Sequence, residues 1–323
     1  MWIKMTYLVL GVSLLATVTS QAQKAAGISR VGWLEVCAPG PRRSGFDVFR
    51  ARLAEQGYTE GKNLVIEQRF ADCRYDRMPA LAAELVQVPV DVLFTIGTRA
   101  TRIVAKAVKT TPIVVYSCDP FAAVKQLARP VGNLTGVTCM TTELMPKRLE
   151  LLKEAIPNAS RVTLLQDPEA ATNAFELTQE VAPRLGITML SAQVSAEEGL
   201  LQELTTVTNQ HPDALLVYPD VVLSSHPRPQ QLADFTLKAN LPTVHAFRFY
   251  VEAGGLMSYG ATTAEVYTSA AEQVAKILDG ARPSELPLRQ ATRFELVINN
   301  NTAKALGLTI PPALLARADE VIE

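Results

Sequence analysis

The sequence predicts an α/β protein: two doubly wound parallel-sheet lobes joined by a multi-segment hinge. Three observations carry that prediction. Short apolar runs recur without polar alternation, helical stripes stand between them, and turn-rich segments interrupt the alternation. A domain usually holds about 100–200 residues, so a chain of 323 has room for two cores.

The first strands predicted are Val31-Gly32-Trp33-Leu34, Leu64-Val65-Ile66, Val92 to Ile96 and Ile113 to Tyr116. Runs of this kind suit strands covered on both faces, as in parallel sheets. Between them Phe46, Phe49 and Leu53 fall at i, i+3 and i+7, and Met78, Leu81 and Leu85 keep similar spacing. Each stripe is the core-facing side of a surface helix. Strand and helix in alternation imply βαβ units with right-handed crossovers.

A second series follows: Leu134 to Thr138, Val162 to Leu165, Ile187 to Leu190, Leu215 to Tyr218 and Thr243 to Phe247. Its helical stripes include Leu149, Leu152 and Ile156, then Val266, Ala270, Val274, Ile277 and Leu278. The alternation breaks at Ser117–Asn133 and again at Val251–Gly255, both containing glycine, which reaches backbone angles closed to other residues. These are the expected crossings between lobes, with a third around Leu286-Pro287-Leu288. The expected division is 28–118 plus about 256–285 for lobe 1 and 133–247 for lobe 2. Residues 286–323 supply a strand at Phe294 to Ile298 and terminal helices, with no lobe assigned.

Charge excludes one class of partner. Lys and Arg number 31 against 32 Asp and Glu, a net charge of -1, so no long-range field draws in nucleic acid or an anionic membrane. Mean hydropathy of +0.12 with 20% charged residues argues against a disordered chain. Lys4, the apolar Met5 to Val18 and the small-x-small Ser20-Gln21-Ala22 read as a secretory signal peptide over residues 1–22. The mature protein is therefore expected to be exported and soluble.

Cys37, Cys73, Cys118 and Cys139 form no C-x-x-C pair and have no histidine at metal-ligand spacing. No metal site is expected. Export permits disulfides, four cysteines allow three pairings, and free buried thiols remain open. His211, His226 and His245 stand alone, and no G-x-S-x-G elbow, Walker A loop or G-x-G-x-x-G occurs. Neither catalysis nor a cofactor is expected.

In open parallel sheets ligands bind beyond the carboxyl ends of the strands. That rule selects Gly97-Thr98-Arg99, where helix-initiating N–H groups favour a carboxylate. It selects Asp119 for a ligand ammonium, with Tyr218 and Asp220 in the same position on the second lobe. Phe247 and Tyr259, with Phe249 and Tyr250, are candidates for stacking. Arg248 is expected to pair with Glu252.

Several stretches resemble one family. They include Gln56-Gly57-Tyr58-Thr59-Glu60-Gly61-Lys62-Asn63, Tyr75-Asp76-Arg77-Met78-Pro79-Ala80-Leu81-Ala82-Ala83-Glu84-Leu85, Asp119-Pro120 leading to Leu127-Ala128-Arg129-Pro130, and Lys147-Arg148-Leu149-Glu150-Leu151-Leu152-Lys153. Val251-Glu252-Ala253-Gly254-Gly255-Leu256-Met257-Ser258-Tyr259-Gly260 and Ala305-Leu306-Gly307-Leu308-Thr309-Ile310-Pro311 are the most specific. These stretches are similar to exported substrate-binding proteins of bacterial ABC transporters with the periplasmic-binding type I fold, in the branch that includes tryptophan and tyrosine binders. The resemblance implies a periplasmic, monomeric protein that closes two lobes on a small organic ligand, an amino acid or carboxylate, and hands it to permease subunits. A ligand sensor for a membrane receptor, or an exported α/β hydrolase, are the alternatives. Two stretches depart from the pattern. Family members commonly read Phe-Arg-Glu-Phe where Phe247-Arg248-Phe249-Tyr250 stands, and the loop Glu35-Val36-Cys37-Ala38-Pro39-Gly40 also differs.

Overall fold

A computed structural model describes residues 27–38, 43–119, 132–170, 173–194 and 199–323. The signal peptide expected at 1–22 lies outside the described residues, as does the middle of the expected first crossing. In chain order the elements begin β1 (Ser29–Glu35), α1 (Arg43–Glu55), β2 (Leu64–Phe70), α2 (Met78–Gln87), β3 (Val92–Ile96), α3 (Thr98–Ala107), β4 (Ile113–Ser117) and β5 (Leu134–Thr138). They continue α4 (Met145–Ala155), β6 (Arg161–Gln166), α5 (Ala174–Val181), β7 (Thr188–Gln193), α6 (Leu200–Thr208), β8 (Ala214–Val217), α7 (Arg228–Lys238), β9 (Thr243–His245), α8 (Arg248–Glu252) and β10 (Met257–Ala261). The chain ends α9 (Thr263–Leu278), β11 (Arg289–Gln290), β12 (Phe294–Asn299), α10 (Asn300–Ala305), α11 (Pro312–Leu315) and β13 (Glu320–Ile322).

Two sheets result. The first has the order β11-β5-β4-β3-β1-β2 and is parallel throughout. The second has the order β13-β12-β10-β9-β8-β6-β7, with only β10 and β12 antiparallel. Strand order reverses between β1 and β3 in one sheet and between β6 and β8 in the other. Those two switch points, at carboxyl ends, are where loops diverge and leave a crevice. The apolar runs of β3 and β4 are buried at every residue, which is why the sequence shows no alternation there.

Sheet membership corrects the expected lobe boundaries. β5 belongs to the first sheet, so the 117–133 segment returns to its own lobe and the chain crosses at 139–144 instead. The turn at 251–255 stays within the second lobe, and β10 is a second-sheet strand. The crossing comes at Thr262, after which α9 packs on α1, β4 and β5 of the first lobe. The C-terminal segment divides, with β11 in the first sheet and β12 and β13 in the second, so the third crossing is at 291–293. Turn composition marked where the chain bends; hydrogen-bonding partners, which it does not encode, decide which sheet it rejoins.

The crossings are bonded to one another. The Thr262 hydroxyl accepts the Glu265 N–H and caps α9. The Glu265 carboxylate accepts the Thr292 N–H and hydroxyl and the Arg293 N–H, at 2.9, 2.8 and 2.9 Å. Those donors outweigh the cost of its partial burial and hold the carboxyl below its usual range. The Ala291 N–H donates to the Thr138 carbonyl at 2.9 Å. Arg148, fully buried, donates to the Tyr259 carbonyl (2.7 Å) and the Thr141 carbonyl (2.9 Å), tying β10 to the first crossing.

Two disulfides, Cys37–Cys73 and Cys118–Cys139, use all four cysteines and resolve the pairing that spacing left open. Both join loops at the carboxyl edge of the first sheet. One apolar core runs from Trp33 and Phe94 in the first lobe to Leu215 and Phe247 in the second, so the lobes are closed on each other.

Candidate functional site

A cleft enclosing about 860 Å3, its open mouth included, lies between the two switch points. The first lobe contributes Trp33 and Glu35 from β1, Gly97 and Thr98 from the β3–α3 turn, Tyr116 and Cys118 from β4 and its loop, and Tyr267 from α9. The second contributes Asp220, Val221 and Ser224 after β8, and Phe247 and Phe249 around the start of α8.

Each wall follows from its sequence. Gly45 carries no Cβ, which would sit 2.3 Å from the Tyr267 ring, so α1 and α9 approach closely enough to present that ring to the cleft. Trp33 meets Phe46 edge-on at 4.9 Å and lies parallel to Tyr267 at 6.3 Å, while Tyr116 is edge-on to Tyr267 at 5.4 Å. Phe247 and Phe249 stack at 5.6 Å on the opposite wall. Aromatic faces on both sides make a slot for a flat apolar group. The Trp33 indole N–H donates to Glu35 at 3.0 Å and orients that carboxylate.

Beside the cleft the lobes bond directly. The Tyr75 hydroxyl donates to Asp220 across the interface at 3.0 Å, both groups buried. The other Asp220 oxygen accepts the Val222 and Leu223 N–H groups at 2.7 and 3.3 Å. Burial still raises its pKa, as it does for Asp167. Arg99 lies over the Tyr75 ring at 4.1 Å and reaches Glu169 at 2.9 Å and Asp167 at 3.7 Å in the other lobe. Arg102 donates to the Glu169 carbonyl. At Gly97, with φ of 99°, a Cβ would stand 2.5 Å from Val221 of the second lobe.

Of the residues selected from sequence, Thr98, Asp220 and Phe247 line the cleft together. Arg99 does not; its guanidinium spans the lobes, because the carboxylates after β6 lie opposite α3. Asp119 is buried and is not among the lining residues, its N–H donating to the Thr98 hydroxyl at 3.2 Å. Tyr218 points into the second-lobe core, its hydroxyl bonded to that of Thr142 at 2.8 Å. Tyr259 packs near Phe294 at 6.2 Å, since β10 is a second-sheet strand away from the slot. Arg248 pairs with Glu252 at 2.9 Å, as its spacing suggests, and also with Glu320. Phe249, which stands where family members commonly carry an acid, faces the cleft.

Sequence reasoning missed Trp33, Glu35, Phe46, Tyr116 and Tyr267. Trp33 and Tyr116 sit inside strands and read as core. Glu35, the last residue of β1, was detectable by the strand-end rule.

Two mostly parallel sheets, crossed three times among the described residues and shut over an interlobe cleft, define a type I periplasmic-binding architecture. The chain belongs to the ABC transporter substrate binding protein family, whose model matches residues 42–322. It is 24% identical over 295 residues to the tyrosine-binding protein of Clostridioides difficile, covering 90% of this chain and 82% of that one. Among solved structures, a conserved domain protein from Vibrio cholerae superposes with a TM-score of 0.83 at 28% identity, covering 91% of this chain and 99% of that one. The ABC domain from Streptococcus pneumoniae in complex with L-Trp gives 0.82 at 24%, covering 92% and 100%. No helix among the described residues is long and apolar enough to cross a membrane. The family and its relatives are solute-binding proteins, not enzymes, and generally work outside the cytoplasm.

Proposed function

We propose that this chain captures an aromatic amino acid outside the cytoplasm and, as a monomer, delivers it to the permease of an ABC importer. The observation that carries this reading is the slot itself: four rings from the first lobe face two from the second, with polar groups at the strand ends. The tyrosine-binding relative and the L-Trp complex support the same ligand class. Thr98 and Phe247 contact the ligand from opposite lobes. Ligand binding shifts an open–closed equilibrium only by the difference in affinity for the two states, so contacts from both walls are required. Micromolar capture needs about -8 kcal/mol, within reach of ring burial plus a few charge-assisted bonds. Calorimetry of the purified chain against the twenty amino acids tests the reading. Micromolar heats confined to tryptophan, tyrosine or phenylalanine are expected; binding only of aliphatic or acidic members overturns it.

A further inference from the structure

We infer that Arg99 and Arg102 form, with Asp167 and Glu169 of the other lobe, an ion latch that draws the cleft shut without touching the ligand and holds part of the ligand-free chain closed. This rests on the binding reading above and adds residues that set affinity for whatever the slot holds. Each half of the latch is built within its own lobe. No acid stands in the first turn of α3, so none of its own offsets the positive helix end or the two arginines. Arg99 and Arg102 are three residues apart, on one face of that helix. The Arg99 guanidinium rests on the Tyr75 ring of the same lobe, 4.1 Å from its centre. Opposite, the turn after β6 folds on itself. The Asp167 carboxylate accepts the Glu169 N–H at 2.8 Å, and the Asp167 carbonyl accepts the Ala170 N–H at 3.0 Å. That turn presents two acids as one unit.

Closure brings the halves together. Arg99 reaches Glu169 at 2.9 Å and Asp167 at 3.7 Å, and Arg102 stands 3.9 Å from the Glu169 carboxylate while donating to its carbonyl. A lone exposed pair contributes little, because water screens it and two long side chains must be ordered. Here Asp167 is 4% exposed and Arg99 21%, and both are held within their own lobes before they meet. None of the four is among the described residues that line the cleft. The latch therefore changes the population of the closed form, and the apparent affinity for each ligand changes by the same factor. Its charges separate into water on opening, so dissolved salt weakens it.

Calorimetry of the purified chain with L-tryptophan and L-tyrosine tests this. Arg99→Met keeps a long side chain over Tyr75 and removes the charge; it is expected to weaken both amino acids about fivefold. Arg99→Lys is expected to restore part of that loss. Glu169→Gln changes a side chain 58% exposed, so it spares the core, and is expected to weaken both about threefold. Combined with Glu169→Gln, Arg99→Met is expected to cost a smaller factor, because the two changes act on one interaction. Raising sodium chloride from about 0.05 to about 0.5 M is expected to weaken binding more in the parent than in Arg99→Met. Small-angle scattering without ligand supplies a second readout: both single variants are expected to raise the radius of gyration. An Arg99→Met cost that is the same with and without Glu169→Gln overturns the latch, since a contact with the ligand would behave that way. A loss confined to one amino acid overturns it too, as does an unchanged ligand-free radius in folded variants. Silence from both amino acids overturns the aromatic reading alone, and the ligand-free radius then decides the latch.

Discussion

Removing one hydroxyl from Tyr75 separates the energy of closure from the energy of ligand contact. In the closed form that hydroxyl bonds to the Asp220 carboxylate at 3.0 Å, with both residues buried. In an open form both groups meet water, so Tyr75→Phe leaves that state nearly unchanged. A hydrogen bond to a charged group is worth about 1.5–3 kcal/mol. Asp220 keeps its two backbone donors and Phe keeps the ring beneath Arg99, so the lower half of that range applies. About 1.5–2 kcal/mol taken from the closed state corresponds to roughly 10–30-fold weaker apparent binding, since apparent affinity scales with the population of the competent form. Calorimetry measures that shift. Small-angle scattering without ligand measures the accompanying rise in radius of gyration. An unchanged dissociation constant, with a lowered melting temperature, would refute the reasoning, because the bond would then exist in both states.

Gly97→Ala adds a Cβ at a φ of 99° and drives it into Val221 of the facing lobe; closure should fail, with affinity down at least tenfold and scattering of the ligand-mixed protein still that of the open form. His245 is buried and its pKa is pushed down to about 3 by desolvation, against about 6.5 unfolded. The unfolded chain thus binds the extra proton, and stability present above pH 6.5 is lost toward pH 3 by up to about 1.4 kcal/mol per unit. His245→Asn should flatten the pH dependence of the urea midpoint between pH 6.5 and 4.5; an unaltered slope would exclude it. Burial also draws Arg148 down to about 10, and Arg148→Met frees two hinge carbonyls while removing a buried charge. A net loss of about 2 kcal/mol in denaturant titration is expected; a gain would mean the desolvation cost dominates. Replacing both Cys118 and Cys139 by serine removes a disulfide that closes a span of 21 residues and should cost about 3 kcal/mol, readable by calorimetric melting beside the parent protein.

The α/β class and the strand ends where a ligand must lie were legible because hydrophobic periodicity and parallel-sheet burial are local properties of the chain. Thr98, Asp220 and Phe247 could be picked from a list of loops for that reason. Arg99 and Tyr218 were chosen by the same rule and turned away from the slot, because a side chain's direction depends on which carboxylate, hydroxyl or core lies within its reach. Trp33, Tyr116 and Tyr267 read as ordinary core, and only the meeting of α1 and α9 over Gly45 brought these rings together along the cleft. Lobe membership of β5, β10 and β11 was likewise undecidable from composition, since a short apolar strand pairs equally well in either sheet. The chain by itself determined its periods, its turns and its charge; folding decided which distant residues share the cleft, because contact between lobes is set by partners such as Arg102 and Glu169 or Tyr75 and Asp220, 67 and 145 residues apart.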